Sequence, residues 1–213
     1  MGPLASFVAF DLETTGLDYT KNEIVEIAGV KFTLEIDGKK IIAKNLGTFE
    51  SFVKPNMHMP EETSRINGIT DSMLEDAPSA AEILPEFTRF CGQSTILIAH
   101  NAIFDARFLK RTLVEGQMVI PQNPIMDSLL MSRKILPEAK VHKLGVLAKR
   151  FRRELTIELD DEALHRALYD CEILRDVFVS LVRKQFLPED LEMGTFIQAA
   201  EKAIGSPMFL KTI

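Results

Sequence analysis

Cysteine is scarce: Cys91 and Cys171 are the only two, each inside an apolar periodic stretch. A disulfide framework is therefore excluded, and both read as core thiols of a reducing compartment, the cytoplasm. Glycine (11) and proline (10) stay at ordinary levels, and no repeat or Gly/Ser linker interrupts the chain, so collagen-like, disordered and low-complexity classes fall away. No apolar run approaches the ~18 residues a membrane-spanning helix needs. Residues 1–7 lack the basic segment and apolar stretch of a secretory signal. Positive charge is not in excess either: 31 acids face 25 Lys and Arg, for a net charge of −6. Taken as a sum, that argues against a nucleic-acid partner.

What is present points elsewhere. A chain of 213 residues that is 46% apolar can bury the core of one α/β domain and is short for two. The expectation is a single domain over residues 1–213, with a core at about 6–183 and a C-terminal helical extension at about 184–213. The charges are also segregated. Residues 131–153 carry eight Lys/Arg (Arg133, Lys134, Lys140, Lys143, Lys149, Arg150, Arg152, Arg153) against one acid, Glu138. Residues 154–176 carry eight acids and two arginines. Such a pattern fits a polyanion held through both metal ions and side chains, and equally two solvated faces of opposite sign.

Residues 6–13 are apolar on both parities, which predicts a central strand covered on both sides. Residues 23–36 and 40–53 read as two further strands joined by a tight Asp37-Gly38 turn, an antiparallel meander. Residues 66–70 read as a loop or short helical turn, with Asp71 as a cap. Helices are expected at 80–90, 102–113, 128–135, 144–151 and 166–184, and short strands at 95–99 and 124–126. Asp127 suits the cap of the helix at 128. The sum is an α/β fold with a mixed five-stranded sheet. The tail, with apolar positions such as Leu191, Phe196 and Leu210, is expected to pack back as a final helix; the other reading is an exposed edge for a partner or a second copy.

Asp-x-Glu occurs four times, at Asp11, Asp160, Asp170 and Asp190. Only Asp11 and Glu13 end a strand that is apolar on both faces, and alternation aims both carboxylates at one spot. Repulsion and desolvation both oppose that arrangement, so a cation belongs there, unless the strand simply surfaces at Asp11. A second place is His100-Asn-Ala-Ile-Phe-Asp105. Asp105 also suits the helix dipole of a first turn, Asn101 an N-cap, and His100 a hydrogen-bonded core histidine. A third is His165-Arg-Ala-Leu-Tyr-Asp170. Five residues of helix separate the two side chains by about 140°. Either the pairing is accidental or His165 precedes the helix while Asp170 projects from it.

Asp11-x-Glu13-Thr-Thr-Gly, His100-Asn-Ala-x-Phe-Asp105 and His165-x-Ala-x-x-Asp170, in this order on these elements, resemble the DEDDh family of 3′→5′ exonucleases in its DnaQ-like branch. The resemblance runs from about residue 6 to 183. Lesser echoes are Ile66-Asn-Gly-Ile-Thr70, Met126-Asp-Ser-Leu129 and His142-Lys-Leu144; at Asn67 the family often carries His. The resemblance implies a ribonuclease H-like three-layer fold with helices on both faces of the sheet, and a site with two divalent metal ions, Mg²⁺ or Mn²⁺. It would make Asp11 the bridge between both ions, with Glu13 and Asp170 completing the first and Asp105 acting on the second through water. His165 would be the general base. Thr14, Thr15, Gly16, Leu17, Ile66, Asn67, His100, Asn101 and Phe104 would form the nucleotide-binding rim, with Leu17 wedged against the terminal base.

Those residue types suit phosphodiester hydrolysis. Oxygen ligands select hard cations, and no Cys/His cluster offers zinc. A histidine of ordinary pKa near 6.5 can take a proton from water, so activity is expected to rise over about pH 6–8. The implied substrate is the 3′ end of single-stranded or frayed DNA, the basic strip at 133–153 holding the upstream backbone. The implied partner is a DNA polymerase III catalytic subunit, with no membrane. The alternatives are an exoribonuclease of the same family and, in another class, a polymerase-binding module without catalysis, which the presence of all four acids and the histidine disfavours.

Overall fold

The computed structural model describes residues 5–37, 40–160, 166–186 and 193–213. His165, the Asp161-Glu162 pair, Gly38 of the expected turn, and Asp190 and Leu191 of the tail lie outside the described residues. The apolar strand at the start forms β1 (Ser6–Thr14). β2 (Ile24–Asp37) and β3 (Lys40–Phe52) follow as the expected meander, Asp37 pairing with Lys40. β4 (Thr95–Ala99) and β5 (Ile125–Asp127) run parallel to β1 and complete a mixed five-stranded sheet of order β3-β2-β1-β4-β5. β1 is therefore the central strand, as its two apolar faces require.

Alternation along β1 divides the core. Phe7 and Ala9 face a cluster built with α5 (Ser128–Ile135), α6 (Leu144–Arg150) and α7 (Ala167–Gln185). Val8, Phe10 and Leu12 face α3 (Ala80–Cys91) and α4 (Ile103–Glu115). The result is three layers with helices on both sides of the sheet. Both cysteines are buried free thiols. The tail packs back: α8 (Met193–Ile204) inserts Phe196 among Phe7, Phe178 and Phe186, with ring centroids 5.0–6.4 Å apart. Truncating such a buried ring costs about 3–5 kcal/mol. Beyond α8, Met208 bridges antiparallel to Ile125 and covers the outer edge of β5. No helix among the described residues is long and apolar enough to cross a membrane.

One stretch differs from the sequence expectation. Residues 61–67 form a helix, α1 (Glu61–Asn67), where only a loop or turn at 66–70 was expected. It ends at Gly68, whose φ of 71° is the left-handed conformation that closes a helix. Asp71 does not cap α2 (Asp71–Leu74); Thr70 holds that position. Its carboxylate instead accepts the Met59 N–H at 2.8 Å and faces His58 Nδ1 at 3.0 Å.

Candidate active site

β1 outruns its neighbour. Its pairing with β4 ends at Ala9–Ile98, so the last residues of β1 are open on that side. On the other side the ladder with β2 continues to Glu13–Glu26 and then shifts register before Thr14, a bulge that turns the chain out of the sheet. Asp11 and Glu13 share the parity of Phe7 and Ala9 and so face α7, whose first turn carries Asp170. One carboxylate oxygen from each of Asp11, Glu13 and Asp170 lies within 4.8 Å of the others. Asp105 enters from the first turn of α4 on the opposite face and is only 3% exposed. Three of the four expected acids thus form one cluster, and the fourth stands against the Leu12 N–H that β4 no longer pairs.

The cluster is strained electrostatically. Burial, then repulsion from Asp105, Asp170, Glu13 and Glu26, holds the Asp11 carboxyl well above the usual carboxylate range. Glu13 is pushed up to about 8, chiefly by burial; the Asn67 amide opposes this, Asp170 and Glu26 add to it, and Arg166 opposes it. Asp105 is likewise pushed up to about 8 by burial, against the pull of its own and the Leu12 N–H groups. Carboxyls in this state hold protons unless a cation replaces them. A donor set made only of carboxylate oxygens fits a hard divalent cation, and ionisation of the cluster is then coupled to binding it.

Sequence reasoning missed Glu26. It is 1% exposed, directly opposite Glu13 in the β1–β2 ladder, and it accepts hydrogen bonds from the Ala167 N–H and from Arg166 Nη2, both at 3.1 Å. The side chain at the N-cap position of α7, Arg166, does not cap it, and a carboxylate from β2 caps it instead. That anchor fixes the turn that carries Asp170. Its signal in the sequence is an acid inside the unbroken apolar run of β2.

The residues expected at the nucleotide-binding rim differ in what they expose. Thr14 and Thr15 are buried and their hydroxyls are spent within the turn, on the Gly16 carbonyl at 2.7 Å and on Asn22 Oδ1 at 3.2 Å. What the turn offers outward is backbone. A Cβ at Gly16 would lie 2.6 Å from Asn22 Oδ1, so a larger residue there would displace the side chain that accepts from Thr15. Leu17 is 86% and Ile66 64% exposed, two large apolar side chains held in water. Asn67 is buried and reaches Glu13 Oε2 at 3.3 Å.

Asn101 is not the N-cap of α4; Ala102 takes that position without a side-chain cap. Asn101 adopts φ 67°, the left-handed region, with its N–H and that of Ala102 bound to the two Asp127 oxygens at 3.1 Å. Asp127 also caps α5 as expected, accepting from Leu129 and Leu130, and so ties the ends of β4 and β5 together. His100 is hydrogen-bonded within the fold: Nδ1 meets Ser128 Oγ at 2.8 Å, and burial lowers its pKa. Phe104 is half-buried, with its ring 5.0 Å from that of Phe108.

A central strand ending in acids, flanked by β2 antiparallel and β4 parallel, defines a ribonuclease H-like fold of the kind exonucleases use. It is shared with Exonuclease X in complex with 5′ overhanging duplex DNA (TM-score 0.62, 25% identity, 89% of this chain and 99% of that one). Exonuclease I of E. coli in complex with a dT13 oligonucleotide has the same fold (TM-score 0.65, 16% identity, 85% of this chain and 42% of that one). The chain belongs to the exonuclease family, whose model (RNase_T) matches residues 8–178. Its relatives include DNA polymerase III PolC-type of Oceanobacillus iheyensis, 38% identical over 179 residues, and of Bacillus subtilis, 36% identical over 181. Each alignment covers 84% of this chain but only 12% and 11% of the relative, so the chain spans about an eighth of the length of the curated relatives it matches.

Proposed function

We propose that this chain is a metal-dependent 3′→5′ exonuclease domain that releases nucleoside 5′-monophosphates from single-stranded or frayed DNA ends. Its place would be proofreading beside the catalytic part of a PolC-type DNA polymerase III, in the cytoplasm. The observation that carries this reading is the convergence of Asp11, Glu13 and Asp170 within 4.8 Å at the open end of β1, in a member of the exonuclease family.

Asp11, Glu13 and Asp170 would hold one Mg²⁺ or Mn²⁺, with Asp11 shared with a second ion that Asp105 serves through water. When bound, such a pair supplies a hydroxide nucleophile at neutral pH and neutralises charge on the departing 3′ oxygen. Leu17 and Ile66 would pack on the terminal base, whose unstacking is cheapest at a single-stranded end. His165 would take the proton of the attacking water. Two things support that role: α7 begins at Ala167, so the 140° divergence of a continuous helix does not apply, and the adjoining Arg166 is anchored by Glu26.

The test is release of mononucleotides from 3′-labelled single-stranded DNA, mismatched primer and RNA, with and without Mg²⁺. Metal-dependent release from DNA, fastest at single-stranded and mismatched ends, is the expected result. Preference for RNA would assign the exoribonuclease alternative, and no release with either metal would leave a binding module.

A further inference from the structure

The eight-cation strip of residues 133–153 does not act as one surface. Arg150 is paired with Glu138, and Lys149, Arg150, Arg152 and Arg153 lie at or beyond the C-terminal end of α6. Arg133, Lys140 and Lys143 converge instead on a groove of about 540 Å³ that His100, Asn101 and His142 also line. All three cations are exposed, none has an ion-pair partner among the described residues, and no carboxylate lines the groove. Asp127, which binds the N–H of Asn101, is committed to backbone N–H groups of two segments.

The groove is also held in shape. His142 spans Ser132 Oγ at 2.9 Å and the Ala139 carbonyl at 3.0 Å, and His100 is fixed to Ser128, so the 139–143 segment and the residue after β4 are both pinned to α5. Its position matters most. β1, β4 and β5 are parallel, and the groove opens just past the end of β4, at His100 and Asn101, four residues before Asp105. The carboxylates sit at the end of β1 on the same edge of the sheet. A polyanion leaving a cation-loaded acidic site in this direction passes directly from one region of countercharge to the next.

Resting on the exonuclease reading, we propose that this groove binds the phosphodiester backbone of single-stranded nucleic acid upstream of the bond being cut, through Arg133, Lys140 and Lys143. The groove makes affinity depend on substrate length and salt, which the carboxylate site alone does not.

The full chain with Lys140→Gln and Lys143→Gln is compared with wild type by fluorescence anisotropy on labelled oligothymidylate, with Ca²⁺ in place of Mg²⁺, over a salt series. Removing two backbone contacts should reduce the slope of log K against log salt by about 1.4 and weaken binding roughly tenfold at low salt. KM on the oligomer should rise with kcat held, a dinucleotide should show no difference, and Lys140→Arg with Lys143→Arg should restore the wild-type slope. An unchanged slope, an equal loss on the dinucleotide, or equally tight binding of polyglutamate would overturn the proposal. Groove-dependent binding without nucleotide release in Mg²⁺ or Mn²⁺ would overturn the exonuclease reading and leave the groove standing.

Discussion

Two charged clusters lie along α7, and they differ in who supplies the countercharge. Toward the middle of the helix, Asp176 and Arg175 are both 3% exposed and bonded to each other at 2.8 Å. Arg175 also reaches Asn45 at 3.0 Å and Thr156 at 2.6 Å, and Thr156 donates to Asp176. Every charge there is answered from within the chain, and the network fastens residue 156 and β3 to the helix. At the N-terminal end, Asp170 joins Asp11 and Glu13, with Asp105 behind, and burial and repulsion from neighbouring acids drive the Asp11, Glu13 and Asp105 carboxyls upward. The arginine that opposes this, Arg166, is itself bonded to Glu26. A buried ion pair of the first kind is architecture; a gathering of like charges of the second kind marks a place for a cation.

The contrast breaks most sharply at Asp11. Asp11→Asn should cut turnover on labelled DNA by about 10³-fold, roughly 4 kcal/mol of transition-state stabilisation. The same change should raise the melting temperature of the metal-free protein at neutral pH, since folding forces the Asp11 carboxyl to take up a proton that an amide does not need; rate assays and thermal unfolding read the two effects. Asp176→Ala should do the reverse to stability, costing about 3–5 kcal/mol in denaturant unfolding because Arg175 is left buried and alone. Glu26→Gln sits between the two. It weakens the anchor of α7 without emptying the site, and a loss of about 10–100-fold in turnover or Mn²⁺ affinity is expected from such a support.

The same carboxyls also set a pH dependence. Glu13 and Asp105 keep protons to about pH 8 when folded. Unfolded, both lose them near about pH 4. Their contribution to metal-free stability is therefore full below that lower value and lost as pH rises through about 8. Melting curves without metal should fall over this range, while the increment produced by Mn²⁺ should grow.

The central strand and its acid pair were legible because alternation and burial act over a few residues. Phe7 to Glu13 state both the sheet position and the shared direction of the carboxylates. The cap at Asp127 was legible for the same local reason. α1 was not: at seven residues it gains little from its own sequence and is held by Thr63 on the Thr15 carbonyl and Asn67 on Glu13. Asn101 was misjudged as a possible cap because its conformation is set by Asp127, 26 positions on. Glu26 was silent because its partners lie 140 residues away. The basic strip read as continuous, and only the fold divides it into a groove and a helix end.

Titration of Mn²⁺ into the full chain by calorimetry near neutral pH, in wild type and Asp11→Asn, tests the central claim most directly. Saturable binding with net proton release in the wild type, abolished in the variant, is the expected result. No uptake by the folded wild type, or equal uptake by both, would contradict the claim that these carboxylates converge to hold a cation.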